Sequence, residues 1–428
     1  MNYNEALEYI HSVSWTFCKP GLDRISELCK RLGNPQNSLK FIHVAGTNGK
    51  GSFCSMLSSI LKESGYRVGV FTSPYILTFN ERIAINGKSI SNEDLADITS
   101  IIKPIADSME DKPTEFELIT AIGFEYFKRK GCDYVVLECG LGGRLDSTNI
   151  IESAVMSVIT GIAFDHTAIL GNTIKEIASE KAGIIKNGTP ILWCGNDKEA
   201  ERVIKSVADS KNAPVYTVDR ASLNLKKQTL DGTFFDFNSI YDLKIALLGT
   251  YQIENATNVL TAVSILKELG ASIPDNAIRA GLEGARWHAR FEVISKSPLI
   301  IFDGAHNPQG VCEAVESFKK YFGNEKLLVI TGVMADKDYN YIAEKISEIA
   351  DCVYCITPDN ARALNAKEYS EVYAKLNVKS QYFSTINEAL ASAIKEAMTS
   401  KKSIACLGSL YMYGDVAKSL DALLSDIT

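Results

Sequence analysis

Seven residues, Gly46-Thr47-Asn48-Gly49-Lys50-Gly51-Ser52, have the composition of a phosphate cradle. Glycines let backbone N–H groups approach phosphate oxygens, a helix N-terminus adds partial positive charge, and Lys50 adds a full one. The spacing differs from G-x-x-x-x-G-K-[ST], because Gly46 lies four residues before Lys50 and Gly51 separates Lys50 from Ser52. Further along, Glu138 closes the apolar run Tyr134 to Leu137. A carboxylate there is costly unless it is paired or bound to a cation. It is placed either as a Walker-B-type magnesium ligand or as the partner of a nearby arginine such as Arg144. Thr72-Ser73-Pro74-Tyr75 leaves a hydroxyl just past another apolar run, where proline stops the strand. Asp165-His166 follows a third, so His166 joins Ser73 and Glu138 as a candidate metal ligand. Lys181 lies seven residues after Ile174, on the apolar face of a helix over 173–181. Such a lysine either reaches past the helix edge, the plainer reading, or is buried. Buried, it favours the neutral amine, which adds carbon dioxide to give a carbamate.

These residues need rigid elements behind them. Phe41 to Ala45 reads as a buried strand, and Phe53, Met56, Leu57, Ile60 and Leu61 repeat at helical spacing after the glycine loop. Strands are expected over 67–71 and 154–160, a hairpin turn at Asn86-Gly87, and helices over 92–108 and 115–130. Ligands in open α/β sheets sit at the carboxyl ends of strands, where Ser73, Glu138 and His166 all fall. Residues 1–40 read as helical, with Lys19 to Arg24 turning into a second helix that carries Leu22, Ile25, Leu28 and Leu32. From about 195 to 250 the pattern reads as strands and turns. A helix follows with Val259, Leu260, Val263 and Leu266 inward, then a linker-like stretch, 285–292. A second unit alternates strands at 299–302, 327–331, 352–356, 381–383 and 403–407 with helices, giving a parallel, Rossmann-like sheet without a dinucleotide fingerprint.

The bulk numbers set limits. At 428 residues the chain needs two or three domains. A net charge of −7 argues against nucleic acid as a partner. No apolar run approaches the roughly 18 residues of a membrane helix, and the N-terminus lacks a basic start and apolar core, so a cytoplasmic protein is expected. The 10 cysteines sit in apolar segments as reduced thiols do. Cys352-Val353-Tyr354-Cys355 fits C-x-x-C, but inside a strand-like run that turns the two thiols to opposite faces.

The blocks also carry a resemblance. The phosphate loop, in a variant with glycine after the lysine, resembles that of the folylpolyglutamate synthase/dihydrofolate synthase family of the Mur ligase superfamily. Further matching blocks, in order, are Pro20-Gly21-Leu22-Asp23-Arg24, Thr72-Ser73-Pro74, Asn80-Glu81-Arg82, Leu137 to Asn149, Asp165-His166, Ser179 to Gly183, Asn255 to Asn258, Arg290-Phe291-Glu292, Asp303 to Asn307, Asp336-Lys337-Asp338 and Gly408 to Tyr411. The resemblance implies an α/β fold: a P-loop-type ATPase domain with a central, mostly parallel sheet over 1–290, and a smaller Rossmann-like ligase domain over 291–428.

It implies an ATP-dependent ligase that adds L-glutamate to folate, or to dihydropteroate, through an acyl phosphate. Gly46, Thr47, Asn48, Gly49, Lys50, Gly51 and Ser52 would hold the ATP phosphates, and Asn255, Arg290 and Asp303 would complete the ATP site across the domain boundary. Ser52, Ser73, Glu138 and His166 would ligate Mg2+, with a monovalent cation as a further cofactor. Lys181 would be carbamylated, and Lys50, His166, Lys181 and His306 would form the catalytic set. The pterin end of folate would lie near Arg82, Phe116 and Asp146. The implied protein is a cytoplasmic monomer with no nucleic-acid or membrane partner. A Mur-type ligase acting on a cell-wall nucleotide precursor is the alternative; with only about 40 residues before the loop, a separate domain for the nucleotide is not expected. One departure stands out: where the family commonly has Pro-Gly before the Arg-Phe pair, this chain has His288-Ala289, so a less rigid linker is expected.

Overall fold

The computed structural model of the chain describes residues 1–12 and 21–425; Lys19 and Pro20 of the expected turn lie outside them. Two compact units are present. The first comprises Met1–Asn224, Asp236–Leu243 and Glu254–Ala285, and the second Leu225–Phe235, Lys244–Ile253 and Arg286–Thr428.

The first unit is built on eight strands: β1 (Phe41–Ala45), β2 (Val68–Phe71), β3 (Ile83–Ile85), β4 (Lys88–Ser89), β5 (Tyr134–Glu138), β6 (Met156–Ile159), β7 (Ile191–Trp193) and β8 (Val215–Thr217). They lie in the order β4-β3-β2-β5-β1-β6-β7-β8. Strands β2, β5, β1, β6, β7 and β8 are mutually parallel, and β3 and β4 form an antiparallel hairpin at the edge. All five residues of β1 are buried, as expected of a parallel strand with neighbours on both sides and helices on both faces. One core gathers Phe41, Phe71, Phe124, Phe127 and Leu137, under the N-terminal helices Tyr3–Ser12 and Asp23–Arg31. A second core cluster gathers Ala45, Ile159, Ala178, Ile185, Trp193 and Ile204.

The expectation of strands and turns from about 195 is wrong at its start. Lys198–Ser210 is a helix, capped by Asp197, whose carboxylate accepts from the Glu199 and Ala200 amides. Ala200, Ile204 and Ala208 form its buried face, so the helical period was present in a segment dominated by charge. Strands β9 (Leu223–Thr229), β10 (Gly232–Phe237) and β11 (Ile240–Ile245) then make a three-stranded sheet in the order β11-β10-β9.

The second unit's sheet contains β12 (Glu292–Lys296), β13 (Leu299–Asp303), β14 (Leu327–Thr331), β15 (Ala350–Cys355), β16 (Lys379–Tyr382) and β17 (Ile404–Leu407), ordered β12-β13-β17-β14-β15-β16. It is parallel except for β12, which folds back antiparallel onto β13 and lies in a stretch not read as a strand from the sequence. Cys352 and Cys355 are buried and free, and burial pushes both thiols up, Cys355 to about 12.

Candidate functional site

The chain runs from β1 through the glycine loop into the helix Lys50–Glu63. Gly49 sits at φ 84, and a Cβ there would lie 2.6 Å from Asn255 Oδ1, so the loop packs directly on the buried Asn255. The loop is also laced to the segment that follows β6. The Thr47 amide donates to Gly161 O at 2.8 Å. The Thr47 hydroxyl donates to Ala163 O at 3.2 Å and accepts from Ala163 N at 3.0 Å. The Thr160 hydroxyl donates to Asn48 O at 2.7 Å. Lys50 Nζ donates to Gly46 O and Thr47 O at 3.1 and 3.2 Å and lies 3.9 Å from Glu138 Oε1.

Because β2, β5, β1 and β6 are consecutive in the sheet and parallel, the loops that leave their carboxyl ends lie side by side. That edge gathers Ser73 after β2, Glu138 ending β5, the glycine loop after β1 and Asp165-His166 after β6. Glu138 is buried, at 4% exposure. Arg144 pairs with Glu180 at 2.7 Å rather than with Glu138. Ser73 Oγ accepts from Arg82 Nη1 at 3.0 Å. His166 is exposed, has φ 50, and its Nε2 lies 3.9 Å from Asp165 Oδ1. Among the described residues no three His, Cys, Asp or Glu side chains are grouped to hold a metal by themselves. The hard oxygens of Ser52, Ser73 and Glu138 suit a cation that keeps its waters and shares phosphate oxygens, as magnesium does.

Lys181 projects to this loop from the helix Ile174–Ala182. Thr173 caps that helix, its side chain accepting from the Glu176 amide while Glu176 reaches back to the Thr173 amide. Lys181 is 4% exposed, and its Nζ donates to Gly46 O at 2.9 Å. It does not reach past the helix edge, so the plainer sequence reading fails. Burial, and then the neighbouring Lys50 ammonium, push its amine down to about 7.

In the second unit Asp303 ends β13 and is buried. Its Oδ2 accepts from Tyr251 OH at 2.6 Å and Phe291 N at 2.9 Å, and its Oδ1 from Ala305 N at 2.8 Å. Arg290 Nη1 donates to Ala289 O at 2.9 Å. His306 Nδ1 lies 2.9 Å from Gly304 O, so the ring folds over the turn after β13.

Two family models cover most of this architecture. One described as Mur ligase middle domain matches residues 44–263, and one described as Mur ligase, glutamate ligase domain, matches residues 289–410. The dihydrofolate synthase/folylpolyglutamate synthase of Bacillus subtilis is 39% identical, over 98% of this chain and 99% of its own length. The chain belongs to the folylpolyglutamate synthase/dihydrofolate synthase family of Mur ligases. Among solved structures, the Thermotoga maritima folylpolyglutamate synthase superposes with a TM-score of 0.86 at 36% identity, covering 98% of this chain and 96% of that one. Escherichia coli FolC in complex with DHPP and ADP gives 0.86 at 29% identity, covering 99% of each.

In this member of the folylpolyglutamate synthase family, the expected pterin residues have distinct surroundings. Arg82 lies over the Tyr75 ring at 5.1 Å and the Phe79 ring at 5.8 Å, besides its bond to Ser73. Phe116 packs edge-on against Phe71 with ring centroids 5.9 Å apart. Asp146 is buried and turned into its own loop, accepting from Leu141 N at 2.8 Å, Thr148 N at 3.0 Å and Thr148 Oγ1 at 2.5 Å. That network continues into His43, whose Nε2 lies 2.8 Å from Thr148 Oγ1 and 3.1 Å from Cys139 Sγ. Burial holds His43 neutral, its pKa down near 3. Sequence reasoning passed over His43 because it sits mid-strand, and over Thr160 because a threonine ending a strand is ordinary. Where the family commonly has Pro-Gly, His288 and Ala289 both lie against Glu292. His288 Nδ1 lies 2.9 Å from Glu292 Oε1 and 3.1 Å from Tyr413 OH, and Ala289 N donates to Glu292 Oε2 at 2.8 Å.

Proposed function

We propose that the chain is an ATP-dependent acid–amino-acid ligase that forms an amide between L-glutamate and a carboxylate of folate, and that it also accepts dihydropteroate. The observation that carries this reading is the glycine loop on β1, with Lys50 3.9 Å from a buried Glu138 on the adjacent strand, in a chain of that family. A folate carboxylate attacks the γ-phosphorus, forming an acyl phosphate and releasing ADP. The glutamate amine then attacks the activated carbonyl, loses its proton and expels phosphate.

Phosphoryl transfer asks for charge neutralisation and alignment more than for a protein nucleophile. Gly46 to Ser52 cradle the phosphates, and Lys50 moves its ammonium from the loop carbonyls to the β/γ oxygens. Magnesium held by Ser52, Ser73, Glu138 and His166 would supply further neutralisation. Lys181, whose amine is half neutral near pH 7, is carbamylated, which places an anion where two lysines otherwise face one carbonyl. Asn255 beneath Gly49 belongs to the ATP set; Arg290 and Asp303 of the second unit belong to it as well, with His306 on the turn that follows Asp303. Arg82 and Phe116 hold the pterin, helped by the loop that Asp146 organises. The functional division is at residue 290, and the protein works as a cytoplasmic monomer.

Glutamate-dependent phosphate release tests the reading, with dihydropteroate and tetrahydrofolate supplied separately to purified protein with ATP and magnesium. Turnover with both is expected. Turnover with tetrahydrofolate alone limits the protein to polyglutamate synthesis, and turnover with neither refutes the folate assignment.

A further inference from the structure

The strand that feeds the phosphate loop carries one polar side chain, His43, and it is fully buried. An imidazole in such a place is costly unless its nitrogens find partners. Nε2 lies 2.8 Å from Thr148 Oγ1 and 3.1 Å from Cys139 Sγ. Nδ1 has no hydrogen-bond partner among the described residues. In the sheet His43 stands in register with Leu137 of β5, so one side chain of β1 reaches the loop that leaves the neighbouring strand.

Thr148 decides which nitrogen holds the proton. Its hydroxyl has one hydrogen and stands 2.5 Å from Asp146 Oδ1, the short separation of a hydroxyl donating to a carboxylate. With that hydrogen turned to Asp146, the hydroxyl can only accept from His43, so Nε2 carries the ring's hydrogen and Nδ1 is a bare lone pair. The other tautomer would bury an N–H without an acceptor and set the lone pairs of Nε2 and the threonine oxygen against each other. The donors therefore run one way, from His43 to Thr148 to Asp146. Cys139 Sγ, 3.6 Å from the same hydroxyl, is the competing acceptor. A ring that donates at Nε2 engages the hydroxyl oxygen and the sulfur together, which leaves Asp146 as the place for the hydroxyl's hydrogen. The carboxylate is held from its own loop as well, by Thr148 N on Oδ1 at 3.0 Å and Leu141 N on Oδ2 at 2.8 Å.

We propose that His43 is a positioning residue for the acceptor site. By donating to the Thr148 hydroxyl it keeps that hydroxyl a donor to Asp146, and so keeps the Asp146 carboxylate and the 141–146 loop in the orientation that receives the pterin. The inference rests on the assignment of Asp146 to the pterin end of folate. Strand β1 then has two duties: its end carries the phosphate loop, and its middle steadies the acceptor loop.

The test is the KM for tetrahydrofolate in glutamate-dependent phosphate release by the full-length protein, with ADP affinity measured by calorimetry alongside. His43→Leu fills much the same space without a donor. It is expected to raise that KM about tenfold, the effect of one buried hydrogen bond, and to leave ADP affinity unchanged. His43→Gln, whose amide N–H can stand in the place of Nε2, should return the KM to within about threefold of wild type. Adding His43→Leu to Thr148→Val should raise the KM no further than Thr148→Val alone, because groups acting as one unit do not add. A KM raised equally by glutamine and leucine would mean that the ring only fills space. Additive losses would break the relay, and weakened ADP binding would mean that His43 acts on the phosphate loop; each result overturns the proposal. Asp146→Asn separates the two levels. A raised acceptor KM there, with none in His43→Leu, overturns the proposal alone, and an unchanged acceptor KM in Asp146→Asn overturns the pterin assignment with it. Thr148→Ser against Thr148→Val covers the case in which leucine at position 43 prevents folding. Serine keeps the hydroxyl and should keep the KM, valine should raise it, and equal values in the two would refute the relay.

Discussion

Replacing Lys181 by methionine removes a buried amine while keeping most of its length and volume. In the folded chain that amine holds its proton less tightly than in the unfolded chain, with a pKa of about 7 against an ordinary 10.5. A fall of that size corresponds to about 5 kcal/mol. Unfolding takes up a proton between those two values, so the wild-type protein gains stability as pH rises through the window and carries the whole penalty below it. Methionine lifts the penalty and loses the bond to Gly46 O, worth about 1.5–2 kcal/mol when the donor is charged. The variant should therefore be more stable by about 3 kcal/mol at pH 6, where the penalty is complete. At pH 9 about 2 kcal/mol of penalty remains and the bond is worth less, leaving an advantage of about 1 kcal/mol. Urea unfolding of both proteins at the two pH values, in buffers freed of carbon dioxide, measures the two differences. Added bicarbonate should stabilise the wild type and not the variant, because only the amine forms a carbamate. An equal advantage at pH 6 and pH 9, or a methionine variant less stable at pH 6, would refute the electrostatic account. Ligase turnover should be lost in either case.

Thr160→Val removes the hydroxyl bonded to Asn48 O, and should raise the KM for ATP about tenfold with a smaller effect on kcat, the loss of about 1–1.5 kcal/mol of one hydrogen bond; Thr160→Ser should restore it. Arg24→Met strips the partner, 3.1 Å away, from Glu117, whose side chain is 3% exposed. Urea unfolding should show a loss of about 3–5 kcal/mol. Arg82→Ala should raise the KM for the folate acceptor and leave ADP affinity unchanged in calorimetry, and unchanged acceptor kinetics would move the pterin elsewhere.

The elements behind the phosphate loop were legible because each obeys one strong period. β1 is an unbroken apolar run because it is covered on every side, and the helix after it repeats its apolar residues at helical spacing. The second sheet was legible for the same reason, its four inner strands being short apolar runs between amphipathic helices. Charge hid the rest. The helix Lys198–Ser210 shows three buried positions among charged ones, and β12 is half polar because it lies at a sheet edge. Among the candidate site residues, Ser73, Glu138 and His166 are visible in the sequence as polar groups past apolar runs. Lys181 could be placed on an apolar face but not in the core, since helical spacing does not say how far the neighbouring loop rises over that face. The bonds of Asp303 to Tyr251 and Phe291 join residues that are far apart in the sequence, which no local pattern encodes.

The loop's geometry also explains why bonds to carbonyls matter for binding phosphate. In a trans peptide the C=O and the next residue's N–H point in opposite directions. Lys181 and Lys50 donate to Gly46 O, Lys50 also to Thr47 O, and Thr160 to Asn48 O. Fixing the Asn48 carbonyl toward Thr160 turns the Gly49 amide the other way, and fixing the Thr47 carbonyl does the same for the Asn48 amide. Thr160 thus aims a donor without offering one, which is why its loss should appear in KM for ATP. Of the three carbonyls, Asn48 O is the one whose donor is a short neutral side chain on the adjacent strand end rather than a lysine. Its bond does not have to break when Lys50 swings to a phosphate. The loop can then hand over a lysine and keep its amides in place, provided that Thr160, Gly161 and Ala163 stay fixed at the end of β6.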